Sequence, residues 1–404
     1  MLTHQIKTLL LCLLLTPLMC LGLDLYTPSL PAIASYFKVT NVSANLTIVF
    51  YIAGFGLSQP IAGIIGDSLE RKSFILNALI IYCLSSFLSS FSHTITWLYF
   101  FRIVNSLCAA CTAASIKIMI AENFHGKMLE KATNYYGLFW SITPIFAPVI
   151  GGYLQHYFGW QSNFYCMGIY GFICLFLCLF LMKKHIPKKS LNESLLKKTF
   201  FVWKTLLTDT VYIICVFILS VENSILFLYY TTAPFIIQTK LGFNAETYGK
   251  IVLFVGISYV IGNIINGKLL NYVSSKKIIC GGLLISTIIS LSFLIYLYFF
   301  PKENIYIITL PIFLLFICDG LVFTNILSQV IRRYTEHAGA AGGLLGGLLN
   351  LLSAVIVYIT SYFWNMHNVL TLSIAYFSLL FASLLCFVFF MYKNNYFISG
   401  NINI

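Results

Sequence analysis

Residues 8–27 read TLLLCLLLTPLMCLGLDLYT, an apolar run with one carboxylate, Asp24, and no basic group. At 1.5 Å per residue such a helix measures about 30 Å, the thickness of a bilayer's hydrocarbon core. A secretory signal also places a basic residue, here Lys7, before an apolar stretch, and Leu18-Met19-Cys20 faintly resembles a lipoprotein cleavage site. No small residue precedes Cys20 as that site requires, and further runs of the same kind follow, so the stretch is read as a first membrane helix. Twelve such segments are expected, near 8–27, 45–65, 74–91, 97–121, 134–155, 164–182, 205–232, 248–266, 278–299, 305–330, 340–362 and 368–391.

Composition agrees, because 59% of the 404 residues are hydrophobic, 9% are charged and mean hydropathy is +0.90, which leaves too little polar surface for a water-soluble domain. The net charge of +12 suggests an anionic partner until its placement is read. Of the 24 Lys and Arg, only Lys38, Lys240, Lys250 and Lys302 fall on one side, Arg102 and Lys117 fall inside helix 4, and the rest face the other side. Basic residues beside helix ends resist translocation, so both termini are expected in the cytoplasm and no nucleic-acid partner is inferred. Trp97, Trp160 and Trp364 fall at expected external ends and Trp203 at an internal one, as belt residues do, while Trp140 lies inside helix 5.

The twelve cysteines sit mostly in apolar runs, where they serve as small hydrophobes, and no disulfide is expected. Cys108 and Cys111 share one helix without a second pair, so the C-x-x-C spacing reads as packing. His4, His93, His125, His156, His185, His337 and His367 all fall at helix ends or loops, which offers no intramembrane metal or haem site. No glycine-rich phosphate loop is present. An ATP-driven pump and an enzyme are therefore excluded, no cofactor is expected, and ion gradients are left as the energy source.

The one long connection, 184–204, divides the chain into six-helix halves, 1–183 and 205–404. Ser190 and Glu193 have capping-box spacing, with Leu191, Leu195, Leu196 and Phe200 on one face and Lys197 and Lys198 opposite. Either a basic helix on the inner leaflet or a disordered tether fits. The halves repeat: Gly63, Asp67 and Lys72 are matched by Gly267, Asn271 and Lys276, which follow helices 2 and 8.

Several stretches carry a family likeness. Asp24-Leu25-Tyr26-Thr27-Pro28-Ser29-Leu30-Pro31 resembles the Asp-x-Tyr-x-Pro-x-x-Pro signature of the major facilitator superfamily's drug:proton antiporters of the bicyclomycin and chloramphenicol resistance type. Gly63, Asp67, Arg71 and Lys72 resemble the superfamily's loop motif after helix 2, with departures at Ser68 and Glu70. Arg102 with Asn105 is similar to an Arg-x-x-Gln motif. Ala147-Pro148-Val149-Ile150-Gly151-Gly152 resembles the helix-5 antiporter motif with its first glycine replaced. Phe158-Gly159-Trp160 and Ala233-Pro234-Phe235 are also similar to the group. The resemblance implies an all-α membrane protein, twelve transmembrane helices in two six-helix bundles, working as a monomer in a bacterial inner membrane on protons and a small-molecule substrate. It also implies that helices 1, 4, 7 and 10 line one central cavity, that helices 5 and 11 pack between the halves, and that the Gly63–Lys72 loop is a conformational latch.

An ionisable group at the bilayer centre costs on the order of 3 kcal/mol, so such groups are candidates for function. Asp24 lies about 24 Å along helix 1 and Arg102 near the far end of helix 4, at comparable depth. They form either an ion pair that protonation of Asp24 breaks or a purely structural bridge. Glu222 in helix 7 and Asp319 in helix 10 carry a proton or substrate role, or hydrogen-bond a broken helix. Lys117 is expected to snorkel. Gly339, Gly343 and Gly347, with Gly342 and Gly346, give helix 11 a small-residue stripe suited to sliding or to static packing. The leading expectation is proton-coupled export of small amphipathic compounds by alternating access. A proton symporter importing a nutrient and a scaffold or sensor without flux are the alternatives.

Overall fold

The computed structural model describes residues 2–182, 193–300, 304–334, 338–363 and 368–392. All regular structure among the described residues is helical, and twelve helices are long and apolar enough to cross a membrane. Spans 1 to 6 are Gln5–Phe37, Asn41–Gly66, Arg71–Ser90, Ile95–Asn123, Lys127–Phe158 and Gln161–Leu181. Spans 7 to 12 are Thr210–Lys240, Ala245–Leu269, Ser275–Phe299, Ile305–Arg333, Ala340–Phe363 and Val369–Phe389. Even the shortest, span 3 with 20 residues, is about 30 Å long.

Helix entries are fixed by short polar side chains that accept the otherwise unused first-turn N–H groups. Thr40 accepts from Ser43 N, Thr94 from Trp97 N, Asp209 from Val211 N, Asn244 from Thr247 N and Asn368 from Leu370 N. Span 1 closes on Lys38 in the left-handed conformation, with Val39 N donating to Ala34 O.

The chain divides into two compact units, Met1–Lys198 and Thr199–Ile404. In the first, span 2 packs on span 4, span 3 on spans 4 and 6, and span 5 on span 1. In the second, span 8 packs on span 10, span 9 on spans 10 and 12, and span 7 on span 11. Each of these contacts in the first unit has its counterpart six spans later, so the repeat suggested by the Gly63 and Gly267 loops extends to the packing of whole helices.

Four expectations need correction. Helix 1 does not end near Thr27: the span runs to Phe37 through a π turn at Leu21–Leu25 and a 3₁₀ turn at Thr27–Ser29. The proline pair locally bends the path without stopping it. Helix 7 likewise continues past Pro234 as a π turn, Phe235–Lys240, and begins at Thr210 after a break at Asp209. Trp160 is no belt residue, because it is buried against Tyr36, Phe37 and Phe164 with ring centroids 5.3, 5.6 and 5.9 Å away. Gly159, at φ +80°, provides the sharp turn that sends this ring inward.

The fourth concerns the connection. A helix spans Glu193–Thr208, but its packed face is Val202 and Leu206, buried in the core of the second unit with Tyr212, Leu283, Ile326 and Leu345. Phe200 on the same helix is 57% exposed, and the side chains of Leu195 and Leu196 lie outside what is described. Ser190 and Leu191 lie outside the described residues, as do Trp364, His185, His337 and His367. All twelve cysteines are free thiols.

Candidate functional site

Pro28 has no N–H, so the Asp24 carbonyl four residues earlier loses its α-helical donor. Thr27 Oγ1 replaces it at 3.0 Å. The freed turn widens, and Asp24 falls inside the five-residue π segment, 2% exposed. Span 5 lies directly on this segment. A Cβ placed on Gly151 would stand 1.9 Å from the Leu25 carbonyl oxygen, so only glycine permits the approach. Pro148 and Gly152 are buried on the same helix, and Asn163 Nδ2 donates to Ser29 Oγ at 2.6 Å, holding the far side of the bend.

Arg102 is fully buried on span 4. No ion pair between it and Asp24 occurs among the described residues, contrary to the expectation from their depth. The tyrosine rings explain why. Tyr51 of span 2 reaches span 1 between Met19, to whose carbonyl it donates at 2.9 Å, and Gly22, where a Cβ would collide with its hydroxyl. That ring occupies the place beside Arg102. The guanidinium carbon lies 4.3 Å from the Tyr51 ring centroid and 4.7 Å from that of Tyr26, while Nε donates to Thr47 O at 3.4 Å. Nη1 and Nη2 have no hydrogen-bond partner. Tyr26 and Thr47 share a hydrogen bond of 2.9 Å, which closes the aromatic box. Asn105 faces the other way, donating to Ser86 Oγ of span 3 at 2.8 Å.

At the opposite end of the unit, Arg71 pairs with Glu122 of span 4 at 3.1 Å. Lys72 donates to the Leu179 and Met182 carbonyls at 2.7 and 2.8 Å, satisfying the open C-terminus of span 6. Gly63 has no atom within 4 Å of a notional Cβ, and the Asp67 side chain lies outside what is described. Lys117 is exposed along span 4, as a snorkelling side chain requires.

The second unit builds a different cluster. Spans 8 and 10 cross backbone to backbone: a Cβ on Gly262 would lie 2.3 Å from Ile317 O, and one on Gly320 2.8 Å from Tyr259 O. The crossing brings Gly320, next to Asp319, onto the backbone of Tyr259 and Asn263, neither of which stood out in the sequence. Glu222 comes from span 7 and has Asp319 as its charged neighbour. Tyr229, two turns along from Glu222, meets Phe316, three residues before Asp319, edge to face at 5.9 Å, which fixes the register of the two antiparallel spans. Glu222 is 2% and Asp319 7% exposed, and one oxygen of each, Oε1 and Oδ1, is buried without a hydrogen bond. Glu222 and Asp319 are thus brought together, whereas Asp24 and Arg102 share a neighbourhood with Tyr51 between them.

Asp209 performs three tasks at the start of span 7. It caps Val211 N at 2.8 Å, accepts from the Tyr334 hydroxyl and lies 3.6 Å from Arg333. Burial, and next the Asp209 carboxylate, push the Tyr334 phenol up, so it remains the hydrogen donor. Asp209→Ala is expected to cost about 1–2 kcal/mol through the lost cap alone. Thermal unfolding of purified protein checks this: a melting temperature equal to that of the wild type would contradict it, and Tyr334→Phe should fall between the two.

The sequence profile of the Major Facilitator Superfamily matches residues 12–358. An uncharacterized transporter of Rickettsia bellii (strain RML369-C) is 26% identical over 345 residues, covering 83% of this chain and 85% of the relative. The multidrug resistance protein MdtL of Shewanella sp. (strain ANA-3) is 24% identical over 348 residues, 84% of each chain. Among solved structures, a D-xylose-proton symporter superposes with TM-score 0.72 at 13% identity, covering 95% of this chain and 97% of its own. An inward-facing bacterial homologue of the lysosomal transporter Spinster gives 0.71 at 13% identity, with 98% and 96% covered. With its twelve spans, its repeated half and a profile match over most of its length, the chain belongs to the Major Facilitator Superfamily of transporters, which are not enzymes.

Proposed function

We propose that this transporter is a proton-coupled exporter of small amphipathic compounds, working by alternating access. The observation that carries the proposal is the set of carboxyl groups, Asp24, Glu222 and Asp319, buried inside membrane spans with no ion-pair partner among the described residues. Such a group must be neutralised or compensated, and a transporter gains from making that compensation alternate between a proton and a substrate. Arg102, held by Tyr26 and Tyr51, sets the local charge around Asp24. Relatives named for multidrug resistance favour export of varied compounds.

In this cycle protons entering from outside neutralise Asp24 and the Glu222–Asp319 pair and release the substrate. Return of the protons inside resets the site. The close contact of Gly151 with span 1, on the helix that also carries Pro148 and Gly152, lets span 5 respond to the state of Asp24, and the loop of Gly63, Asp67, Arg71 and Lys72 acts as the latch. A proton crossing 100 mV supplies about 2.3 kcal/mol for these steps.

The test is a screen for resistance in cells overproducing the protein, followed by transport of the active compound in everted membrane vesicles. Accumulation should follow an imposed pH gradient and collapse with a protonophore. Accumulation indifferent to the gradient, or gradient-driven uptake into intact cells instead, would overturn the proposal.

A further inference from the structure

The helix Glu193–Thr208 meets the second unit through Val202 and Leu206, which share one buried cluster with Tyr212 of span 7, Leu283 of span 9 and Ile326 of span 10. Each of these three partners lies within about two turns of the nearer end of its span. Asp209 alone separates the helix from span 7, which begins at Thr210. The helix is therefore level with the ends of the spans, in the layer between hydrocarbon and water.

Lys197 and Lys204, seven residues apart, fall on one stripe of the helix about 10 Å apart along its axis, and both are exposed. Phe200 and Phe201 lie between them and Leu207 follows, all exposed and on the side of the helix away from Val202 and Leu206. Phe200 packs edge to face on Trp203 at 5.2 Å. A bias of basic residues toward one side of a membrane accounts for the lysines by themselves. It does not account for two neighbouring phenyl rings on the same face, which water would leave uncovered at a cost. Lysines and rings together match a phospholipid, with ammonium groups level with phosphates and rings among the upper acyl carbons. The positive charge continues past the helix. Asn325 of span 10 bonds Asn266 of span 8 at 2.6 Å and Ser275 of span 9 at 2.7 Å, so the exposed Lys268, Lys277 and Arg332 gather at this same end. Asp209, an acid at that end, is occupied by Arg333 and Tyr334.

We propose that the outward face of the helix Glu193–Thr208 is a docking surface for anionic phospholipid headgroups of the adjoining leaflet. Lys197 and Lys204 take the phosphates, and Phe200, Phe201 and Leu207 lie against the acyl chains. The proposal is independent of the substrate and of the direction of transport. Because a single residue joins this helix to span 7, a lipid held here fixes the depth at which that span begins.

Purified full-length protein in detergent is titrated with dioleoylphosphatidylglycerol and, separately, with dioleoylphosphatidylcholine, and bound lipids are counted by native mass spectrometry. The wild type should bind phosphatidylglycerol more tightly. Lys197→Gln combined with Lys204→Gln should lower that affinity about 25-fold, roughly fivefold for each lysine, and leave phosphatidylcholine unchanged. Phe200→Ser combined with Phe201→Ser should weaken both lipids alike, since contact with acyl chains is indifferent to the headgroup. Lys38→Gln combined with Lys240→Gln, at the other ends of spans 1 and 7, should bind as the wild type does. Val202 and Leu206 are untouched in every variant, and gel-filtration profiles matching the wild type certify that the variants are folded. Phosphatidylglycerol binding undiminished in the Lys197, Lys204 variant leaves this face to a protein partner and overturns the proposal, as does an equal loss in the Lys38, Lys240 variant. Glycerol 3-phosphate, which carries the phosphate without acyl chains, should fail to displace the lipid at equal concentration, and displacement would make this a site for a soluble anion and overturn the proposal too.

Discussion

Everted vesicles carrying Glu222→Gln should lose gradient-driven accumulation of substrate, and Asp319→Asn should do the same. At 100 mV one proton contributes about 2.3 kcal/mol, equivalent to roughly fiftyfold accumulation, and that factor disappears when the proton has nowhere to bind. The amide of Gln or Asn keeps the shape of the acid, so the helices need not repack. It also stays neutral at every pH, mimicking the protonated state permanently. Exchange of labelled for unlabelled substrate, which needs no net proton movement, should therefore survive at a measurable rate. Undiminished accumulation in both variants, and also in Asp24→Asn, would leave the buried acids without a transport role.

The second large effect is on folding. Gly151→Val should leave little monodisperse protein, because its Cβ would be driven to 1.9 Å from the Leu25 carbonyl, a backbone atom that no rotamer change can move aside. Overpacking a core ordinarily costs about 1–3 kcal/mol, and here the clash must be relieved by separating two whole helices, so the upper end or beyond is expected. Gly262→Val should behave alike, its Cβ meeting Ile317 O at 2.3 Å. Gly267→Ala is the contrast, since nothing lies within 4 Å of its Cβ and alanine favours the helix by up to about 1 kcal/mol. Fluorescence-detected gel filtration of the three variants reads this directly, and a sharp wild-type peak for Gly151→Val would show that spans 1 and 5 do not meet as described.

The topology was legible because hydropathy alone decides it: a run such as residues 74–91 has no alternative to a bilayer-spanning helix, and the observed span is Arg71–Ser90. Asp24, Glu222 and Asp319 were equally visible, since an acid in an oily run is conspicuous. The sequence did not show what surrounds them. Depth along a helix gives one coordinate, so Asp24 and Arg102 could be placed at similar heights while the azimuth that puts Tyr51 between them stayed hidden. Tyr259 and Asn263 were missed for a related reason. A tyrosine in an aromatic-rich helix carries no signal by itself, and the crossing that gives it meaning depends on Gly262 and Gly320, 58 positions apart in the chain. Helix 1 reads as ending near Thr27, whereas it continues to Phe37 with Thr27 Oγ1 satisfying the Asp24 carbonyl that Pro28 leaves without a donor.

The π turn at Leu21–Leu25 holds one residue more than an ordinary α turn would. Forcing all five residues into an ordinary α-helix, without the wide turn, would swing all that follows by about 100° around the axis. Tyr26 would then leave Thr47, and Ser29 would leave Asn163. The wide turn thus absorbs the surplus residue and keeps the last third of the first span in phase with its neighbours.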